Sequence, residues 1–429
     1  MDIVKEAKDK VNKLWDDNNL DSIARETGFM RRKRKITAKN FLENITLLEL
    51  SGTKGTLEEF AYEFHQADCA VTKQALHKKI NGETVKFLQK VLEQLLKDSC
   101  SKAGINLEAI SFLERIQVID SSEIKLHKKL QNIFPQVRHQ GAAVKLQAIM
   151  DVVQERLLSL EIRASKEPDQ AYQKHKLDIQ PGDLMITDLG YFCVKTFKEI
   201  AVKEGFFLSR YFKKASLYTL ENNPIDLRAK LSQAKGNYVE FPVLLGAEKL
   251  PCRCVAIRLT DEAYQKRLQH IKREKLRDPR RLKQEDVLDQ WTIFVTNLPA
   301  SLDGETLLQI YSLRWQIELL FKMMKTFLRL RKIEHTNQYS TLISLYVSLI
   351  AAVVICLISA SITDKEISLQ KAGKFFIRNI RKFINYIRNG KQCVVDWLSE
   401  MLRKFALKES RQQRPSTKLK LQWKPSHGV

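Results

Sequence analysis

The sequence has no cysteines at disulfide-framework or metal-binding spacing. Its seven cysteines stand at 69, 100, 193, 252, 254, 356 and 393, with no CxxC among them. A disulfide scaffold and a thiolate zinc site are thereby excluded, and reduced thiols in a cytoplasmic protein are expected. Cys252 and Cys254 are alternate residues of an apolar run, so they should share one side of a strand. The eight histidines form no HxxxH or HxH pair, which argues against zinc a second time. The opening MDIVKEAKDK has no apolar h-region, so no signal peptide is expected. No segment repeats another. Acidic side chains are scarce: 50 Asp+Glu stand against 73 Lys+Arg, for a net charge of +23. That imbalance bears on partners rather than fold, and polyanions are its first candidates; ribosomal and membrane-surface proteins share the same bias.

Long apolar runs are also rare. Only TLISLYVSLIAAVVICLISA, residues 341–360, is long enough to cross a bilayer. It includes Thr341, Ser344, Ser348 and Ser359 and lacks asymmetric basic flanks, so it reads as a buried core helix, and no membrane partner is expected. With 429 residues and an apolar fraction of 44%, the chain can build a sizeable core and should form two to four structural units.

Residues 1–105 read as short helices. Five basic residues, Arg31, Arg32, Lys33, Arg34 and Lys35, precede the helical pattern FLENITLLEL. Thr56 and Glu59 then form a capping box ahead of a helix with Leu57, Phe60, Ala61 and Phe64 on one face. After a short turn, Thr72 can cap a second helix exposing Lys73, Gln74, His77, Lys78 and Lys79. Two short helices with a basic second member fit a helix-turn-helix DNA reader; a plain hairpin with a solvated basic face is the alternative. Strand patterns follow. IQVID (116–120) ends in Asp120, and GDLMITDLGYF (182–192) places Asp188 at a strand end; GAAVKLQAIMDVV (141–153) suits strand or helix. Between 205 and 300 lie FFLSRYF, YVEFPVLLG, PCRCVAIRL and WTIFVTNLP, with a charged helical segment before the last. Residues 371–429 hold 15 Lys+Arg against 3 Asp+Glu, with an amphipathic first part and a polar end.

The segment YSLRWQIELLFKMMK (311–325) carries the chemistry. Read as one helix at about 100° per residue, it sets Tyr311, Arg314, Glu318 and Lys325 on a stripe about 60° wide. Trp315, Ile317, Leu319, Leu320 and Met323 fall outside that stripe. An ordinary i,i+4 pair of Arg314 with Glu318 would look alike, but the apolar bulk on the other faces suits a stripe lining a cleft. An Asp closing a buried strand is uncommon by propensity, although Asp188 could also start a turn. Three carboxylates converging on one spot would need cations between them, and hard oxygen ligands suit Mg²⁺ or Mn²⁺. Two such ions clamp the attacking and leaving oxygens of a phosphodiester displacement. Tyr311, Arg314 and Lys325 would then hold phosphates.

The pattern Tyr311-x2-Arg314-x3-Glu318-x6-Lys325 resembles the Y-R-E-K signature of bacterial DDE transposases of the insertion-sequence-four group. Asp120 in VIDSSEIKL resembles the first catalytic acid of that family, Asp188 in ITDLGYF the second and Glu318 the third; FVTNLP (294–299) resembles the usual lead-in. The likeness covers about residues 20–365 and is weak beyond them. It implies an α/β fold: a ribonuclease-H-like core interrupted by a mostly β insertion, with an N-terminal helical DNA-binding domain and a helical, basic C-terminal tail. The domains implied are 1–105 (DNA-binding), 106–204 and 297–365 (the two parts of the core), 205–296 (the insertion) and 366–429 (a candidate dimerisation tail). The separation of Asp188 from Glu318, 318 − 188 = 130 positions, leaves room for that insertion.

The resemblance further implies cut-and-paste transposition. Water cuts at the transposon end, the freed 3′-hydroxyl attacks the opposite strand to form a hairpin, and the reopened end joins target DNA. Asp120, Asp188 and Glu318 would hold two Mg²⁺ ions, with Mn²⁺ able to substitute. Trp291 resembles a tryptophan that some relatives stack on a flipped base; a core tryptophan is equally compatible. Arg210 in FLSRYF would contact phosphate or be a plain surface arginine. Arg31, Arg32, Lys33, Arg34, Lys73 and Lys78 are further DNA-contact candidates. The implied partners are double-stranded DNA, as terminal inverted repeats and target, and a second copy on paired ends, in a bacterial cytoplasm at the nucleoid. Two alternatives keep the same residues: a structure-specific nuclease that never joins ends, and a catalytically inactive DNA-binding regulator.

Overall fold

A computed structural model describes residues 3–32, 34–51, 56–97, 110–137, 140–172, 174, 178–277, 286–331, 333–362, 364–389 and 394–408. Lys33 and the polar end 409–429 lie outside them. Six helices come first: α1 (Ile3–Leu14), α2 (Asp17–Glu26), α3 (Ala38–Leu50), α4 (Leu57–His65), α5 (Lys73–His77) and α6 (Gly82–Leu96). Strands β1 (Arg115–Leu126), β2 (Ala142–Asp151), β3 (Arg156–Ala164) and β4 (Asp183–Thr187) follow, then α7 (Val194–Val202) and β5 (Phe206–Arg210). Next are β6 (Leu217–Tyr218), α8 (Leu227–Ser232), β7 (Tyr238–Leu245), β8 (Leu250–Arg258), α9 (Asp261–Arg277) and β9 (Trp291–Thr296). The chain closes with α10 (Gly304–Ser312), α11 (Trp315–Thr326), α12 (Gln338–Ala360), α13 (Leu369–Arg378), α14 (Ile380–Arg388) and α15 (Val394–Phe405). Strands and helices together make a mixed α/β protein.

The chain divides into two compact units. The first comprises Met1–Ala103, Asp120–Glu167 and Trp315–Ser416. Its hub is α12, the long apolar run of the sequence. Eighteen of its residues, from Thr341 to Ser359, are buried, because α1, α3, α6, α13 and α15 pack around it. Within this helix, Ser348 Oγ donates to Leu328 O at 2.8 Å, which satisfies one hydroxyl in the apolar interior. A core position explains the run without a bilayer. Residues 142–151, open to either reading in sequence, form β2, antiparallel to β3 with a bulge at Ile149/Met150.

Ion pairs bind the N-terminal helices into this unit. Glu6 of α1 pairs with Arg156 of β3, both buried. Glu43 of α3 accepts from Arg388 Nε at 3.2 Å, and Arg388 Nη2 donates to Asn44 at 2.8 Å. The carboxylate of Glu63, in α4, takes both guanidinium nitrogens of Arg381, at 2.7 and 2.9 Å. Such pairs fix geometry, since each carboxylate would otherwise be buried alone. The amphipathic faces of α13–α15, including Phe376, Phe383, Ile384, Leu398 and Leu402, are buried inside the same unit.

The second unit comprises, among the described residues, 110–119 and 168–314. Here β1, β4 and β5 run parallel, with α7 as the crossover between β4 and β5, and the sheet continues antiparallel through β9, β8, β7 and β6. Cys252 and Cys254 face one core, together with Phe197, Phe207, Leu231 and Trp291, as their alternation in β8 requires. Phe197 of the crossover helix stacks on Phe207 with ring centroids 4.6 Å apart, closing α7 onto the sheet.

Two expectations change. First, β1 does not end at Asp120: the strand runs on to Leu126, so Asp120 lies in its middle. Beyond the polar run Asp120–Glu123, exposed Glu123 and Lys125 alternate with buried Ile124 and Leu126, so the extended backbone continues past Asp120. Second, residues 311–325 are not one helix. α10 stops at Ser312 and α11 starts at Trp315. Leu313 N–H donates to Ile310 O at 3.0 Å and Arg314 N–H to Tyr311 O at 3.1 Å, so this turn is tightened by i→i−3 bonds. Tyr311 and Glu318 therefore belong to different helices, and the single-stripe geometry does not hold.

Candidate active site

The parallel strands of the second unit deliver its polar cluster. Asp188 directly follows β4, where its carboxylate caps a 3-10 turn: Oδ1 accepts from Gly190 N–H at 2.9 Å and from Tyr191 N–H at 3.3 Å. The sequence alternatives of strand-end acid and turn-initiating Asp are both realised in this one residue. On the neighbouring strand, Ser209 is the Cα partner of Thr187, so Arg210 is the residue in register with Asp188. Burial pushes the Asp188 carboxyl up, and the Arg314 guanidinium and the two turn N–H groups pull it back only in part.

Tyr311, at the end of α10, joins this group. Its ring packs 5.1 Å from that of Phe294 in β9, and its hydroxyl feels the Arg314 guanidinium. Burial raises the Tyr311 pKa, opposed by the charges of Arg314 and Arg210 and reinforced by Asp188. One half-buried carboxylate, one phenol and two guanidiniums are thus linked electrostatically. Asn297, in the lead-in to α10, anchors the strand ends: its Oδ1 accepts from Phe207 N–H at 2.8 Å and its Nδ2 donates to Gly205 O at 2.9 Å.

Sequence reasoning missed Asp169. A Cβ placed on Gly190 would lie 3.2 Å from both Asp169 Oδ2 and Asp188 Oδ1, so the two carboxylates flank the same bare Cα. The charge of Asp169 further raises the Asp188 pKa. Nothing in PDQAY marks that residue, because only the tertiary fold brings the two turns together.

In the first unit, α11 carries Glu318 and Lys325, both half-buried. Burial and the charge of Arg331 lower the Lys325 pKa, against Glu123 and Asp120, so this lysine sits in the field of the acids on β1. The Asp120 Oδ1 accepts from Ser121 N–H at 2.7 Å. Trp315, the first residue of α11, is 58% exposed, an unusual position for the largest apolar side chain. Trp291 is the reverse. At 1% exposure it packs in the β core under the Arg258 guanidinium, 4.8 Å away, so its ring is not presented to a base. Among the described residues, no three His, Cys, Asp or Glu side chains form a ready-made metal site.

The N-terminal caps form as expected: the capping box of Thr56 with Glu59, and Thr72 as the N-cap of α5, which is only five residues long. Lys73 is engaged with Glu58 at 2.6 Å. Beside α5 opens a groove of about 1040 Å³, lined by Arg31, Arg32, Arg34, Lys35, Lys78 and Lys79. Lys79 forms its floor: Nζ donates to Phe29 O at 2.5 Å and lies 4.0 Å from the Phe29 ring centroid, and burial lowers its pKa. The other five cations are exposed around it.

Residues 111–354 match the transposase DDE domain family. The transposase for insertion sequence element IS231D of Bacillus thuringiensis subsp. finitimus is 25% identical over 358 residues, covering 77% of this chain and 75% of that one. The IS231F transposase of B. thuringiensis subsp. israelensis is 25% identical over 381 residues, covering 83% and 80%. The IS1151 transposase of Clostridium perfringens is 24% identical over 433 residues, covering 92% and 90%. Among solved structures, the piggyBac transposase in a synaptic complex with hairpin DNA aligns with a TM-score of 0.49 at 10% identity, over 91% of this chain and 84% of that one. The family match spans more than half of the sequence, and the chain belongs to the DDE transposases, as a bacterial transposase of an insertion sequence.

Proposed function

We propose that this transposase moves DNA by a metal-dependent cut-and-paste reaction in which Asp120, Asp188 and Glu318 are the acids of the reacting centre. The observation that carries this reading is the cluster of Asp188 with Arg210, Tyr311 and Arg314. A carboxylate held among phosphate-binding donors is what phosphodiester chemistry needs and what a salt-bridged surface does not require. The strand order β3-β2-β1 in one unit and the parallel β1-β4-β5 in the other support a ribonuclease-H-like core, with β6–β9 as its insertion.

The donor set is all carboxylate oxygen, which fits Mg²⁺, with Mn²⁺ as substitute, rather than zinc. Mg²⁺ is commonly held by one or two carboxylates completed by substrate phosphate and water, so a ready-made three-ligand cage is not a precondition. Two such ions, when bound, would activate the attacking oxygen and neutralise the leaving one. Arg314, Arg210 and Lys325 hold phosphate oxygens, and Tyr311, whose phenol interacts with the Arg314 guanidinium, helps to orient its fork. Water attack breaks the bond between phosphorus and the 3′ oxygen and leaves a free 3′-hydroxyl. That hydroxyl then attacks the phosphorus of a second phosphodiester, forming a new P–O bond as the bond from that phosphorus to its own 3′ oxygen breaks and the strand end leaves with a 3′-hydroxyl. A hairpin intermediate needs an aromatic platform for a displaced base, and exposed Trp315, three residues before Glu318, suits that role. The groove at Arg31, Arg32, Arg34 and Lys78 would bind duplex DNA, and two copies would pair two ends.

The test supplies the purified chain and Mg²⁺ with both uncut and pre-cut duplexes made from the DNA flanking the reading frame, together with a target plasmid. Joined product is expected. Cleavage of uncut ends without any joining would reduce the activity to that of a nuclease, and binding without either reaction to that of a regulator.

A further inference from the structure

Helix α9 lies outside the cluster described above, and its composition is one-sided. From Ala263 to Arg273 it has no carboxylate, while Lys266, Arg267, Lys272 and Arg273 are basic. Its only acids before that stretch, Asp261 and Glu262, sit in the first turn, where the helix dipole favours them. One of the four cations is structural. The Arg267 guanidinium donates to Asp289 O at 3.1 Å, Trp291 O at 2.6 Å and Thr292 Oγ1 at 3.1 Å, and burial brings its pKa down to about 10. Those three bonds fasten the helix to the start of β9. Tyr264, Leu268 and Ile271 are half-buried on the same side.

At about 100° per residue, the opposite arc runs roughly 160° from Lys272 through Arg273 and Lys266 to His270, with Gln265, Gln269 and the first-turn acid Glu262 between them. All seven are exposed, and the three cations outnumber the one carboxylate. Among the described residues, none of Lys266, Lys272 and Arg273 has a carboxylate partner. By contrast Lys213, Arg228 and Arg253 of the same unit are each paired with an acid, at 2.8, 3.0 and 2.5 Å. Further along the same arc Leu276 is 84% exposed. The helix is thus pinned on one side by a buried arginine and presents unneutralised cations and amide donors on the other.

We propose that this arc of α9 is a second DNA-contacting surface, which docks on the phosphate backbone of duplex DNA through Lys266, Lys272 and Arg273. Lysine, arginine and glutamine at this density match a row of phosphate oxygens, and backbone contacts of this kind set position without reading sequence. The proposal rests on the reading of the chain as a DNA-acting transposase and adds to it a surface on the insertion.

The experiment measures binding of the full chain to a short random-sequence duplex by fluorescence anisotropy across a salt series. Compared are wild type, the triple variant K266Q/K272Q/R273Q and a control, K195Q/K198Q/K214Q, that removes the same charge from exposed lysines elsewhere in the unit. Three lost phosphate contacts should lower the slope of log affinity against log salt by about 2.7 in the α9 variant, while the control stays near wild type. Equal slopes for the α9 variant and wild type, or equal losses in variant and control, overturn the proposal while leaving the transposase reading intact. A wild-type chain that binds no duplex at low salt would overturn both. Unchanged thermal midpoints confirm that only surface charge was altered.

Discussion

The Oδ1 of Asp188 accepts a hydrogen bond from the backbone N–H of Gly190 at 2.9 Å, across a turn where any added side chain would meet two carboxylates. That relationship makes Gly190 a positioning residue for the proposed second acid, without itself touching DNA. A methyl group there would sit 3.2 Å from Asp169 Oδ2 and Asp188 Oδ1, so one carboxylate must shift by a few tenths of an ångström. Gly190→Ala should therefore slow end cleavage by about tenfold to a hundredfold, the cost of misplacing a reacting group by less than 1 Å. Stability and DNA affinity should stay near wild type. Cleavage kinetics beside an affinity titration check this; unchanged kinetics would show that the turn tolerates the shift.

The two tryptophans separate fold from function. Trp291 is fully buried in the β core, so Trp291→Ala should cost about 3–5 kcal/mol and lower the thermal midpoint sharply. Trp315 is mostly exposed, so Trp315→Ala should leave the midpoint nearly unchanged. It should instead reduce hairpin formation while sparing first-strand nicking. Gel analysis of the separate strand products distinguishes these outcomes; a Trp315 variant with normal hairpin yield would remove that residue from the reaction.

Much of this architecture could be read from the residues. The Thr56/Glu59 and Thr72 caps carry their own local hydrogen bonds, and the 341–360 run can only be a core or a membrane helix, so both are visible in sequence. Asp188 was legible because a polar residue closing the run LMIT stands out. The break at Leu313–Arg314 was not, since both residues are good helix formers and only the i→i−3 bonds mark the turn. Which way Trp291 points was also hidden, because a strand offers two faces and the sequence did not say which was the core. Asp169 was invisible for a third reason: its nearness to Asp188 is purely tertiary.

His335, in the connection between α11 and α12, gives a pH dependence. Its Nε2 lies 3.6 Å from Glu49 Oε2 of α3, and that neighbouring carboxylate raises the imidazole pKa above its ordinary value, against burial. A raised folded-state pKa contributes stability that is complete below the unfolded value and is lost as pH rises through the folded one. His335→Ala should therefore destabilise the chain by about 1 kcal/mol in mildly acidic buffer and by less in alkaline buffer. Denaturant melts at both pH values test the sign; a gap that widens with pH would contradict it.

The catalytic role of the three acids is tested most directly at Glu318. End-cleavage rates are measured in Mg²⁺ for wild type and Glu318→Gln, with binding of the same end DNA followed in parallel. The side chains are nearly the same size, so only charge and metal affinity change. The prediction is a loss of about a thousandfold or more in cleavage, the several kcal/mol that a metal-bound centre supplies, with binding within a few-fold of wild type. A variant that cuts at close to the wild-type rate would contradict the assignment of Glu318 to the reacting centre.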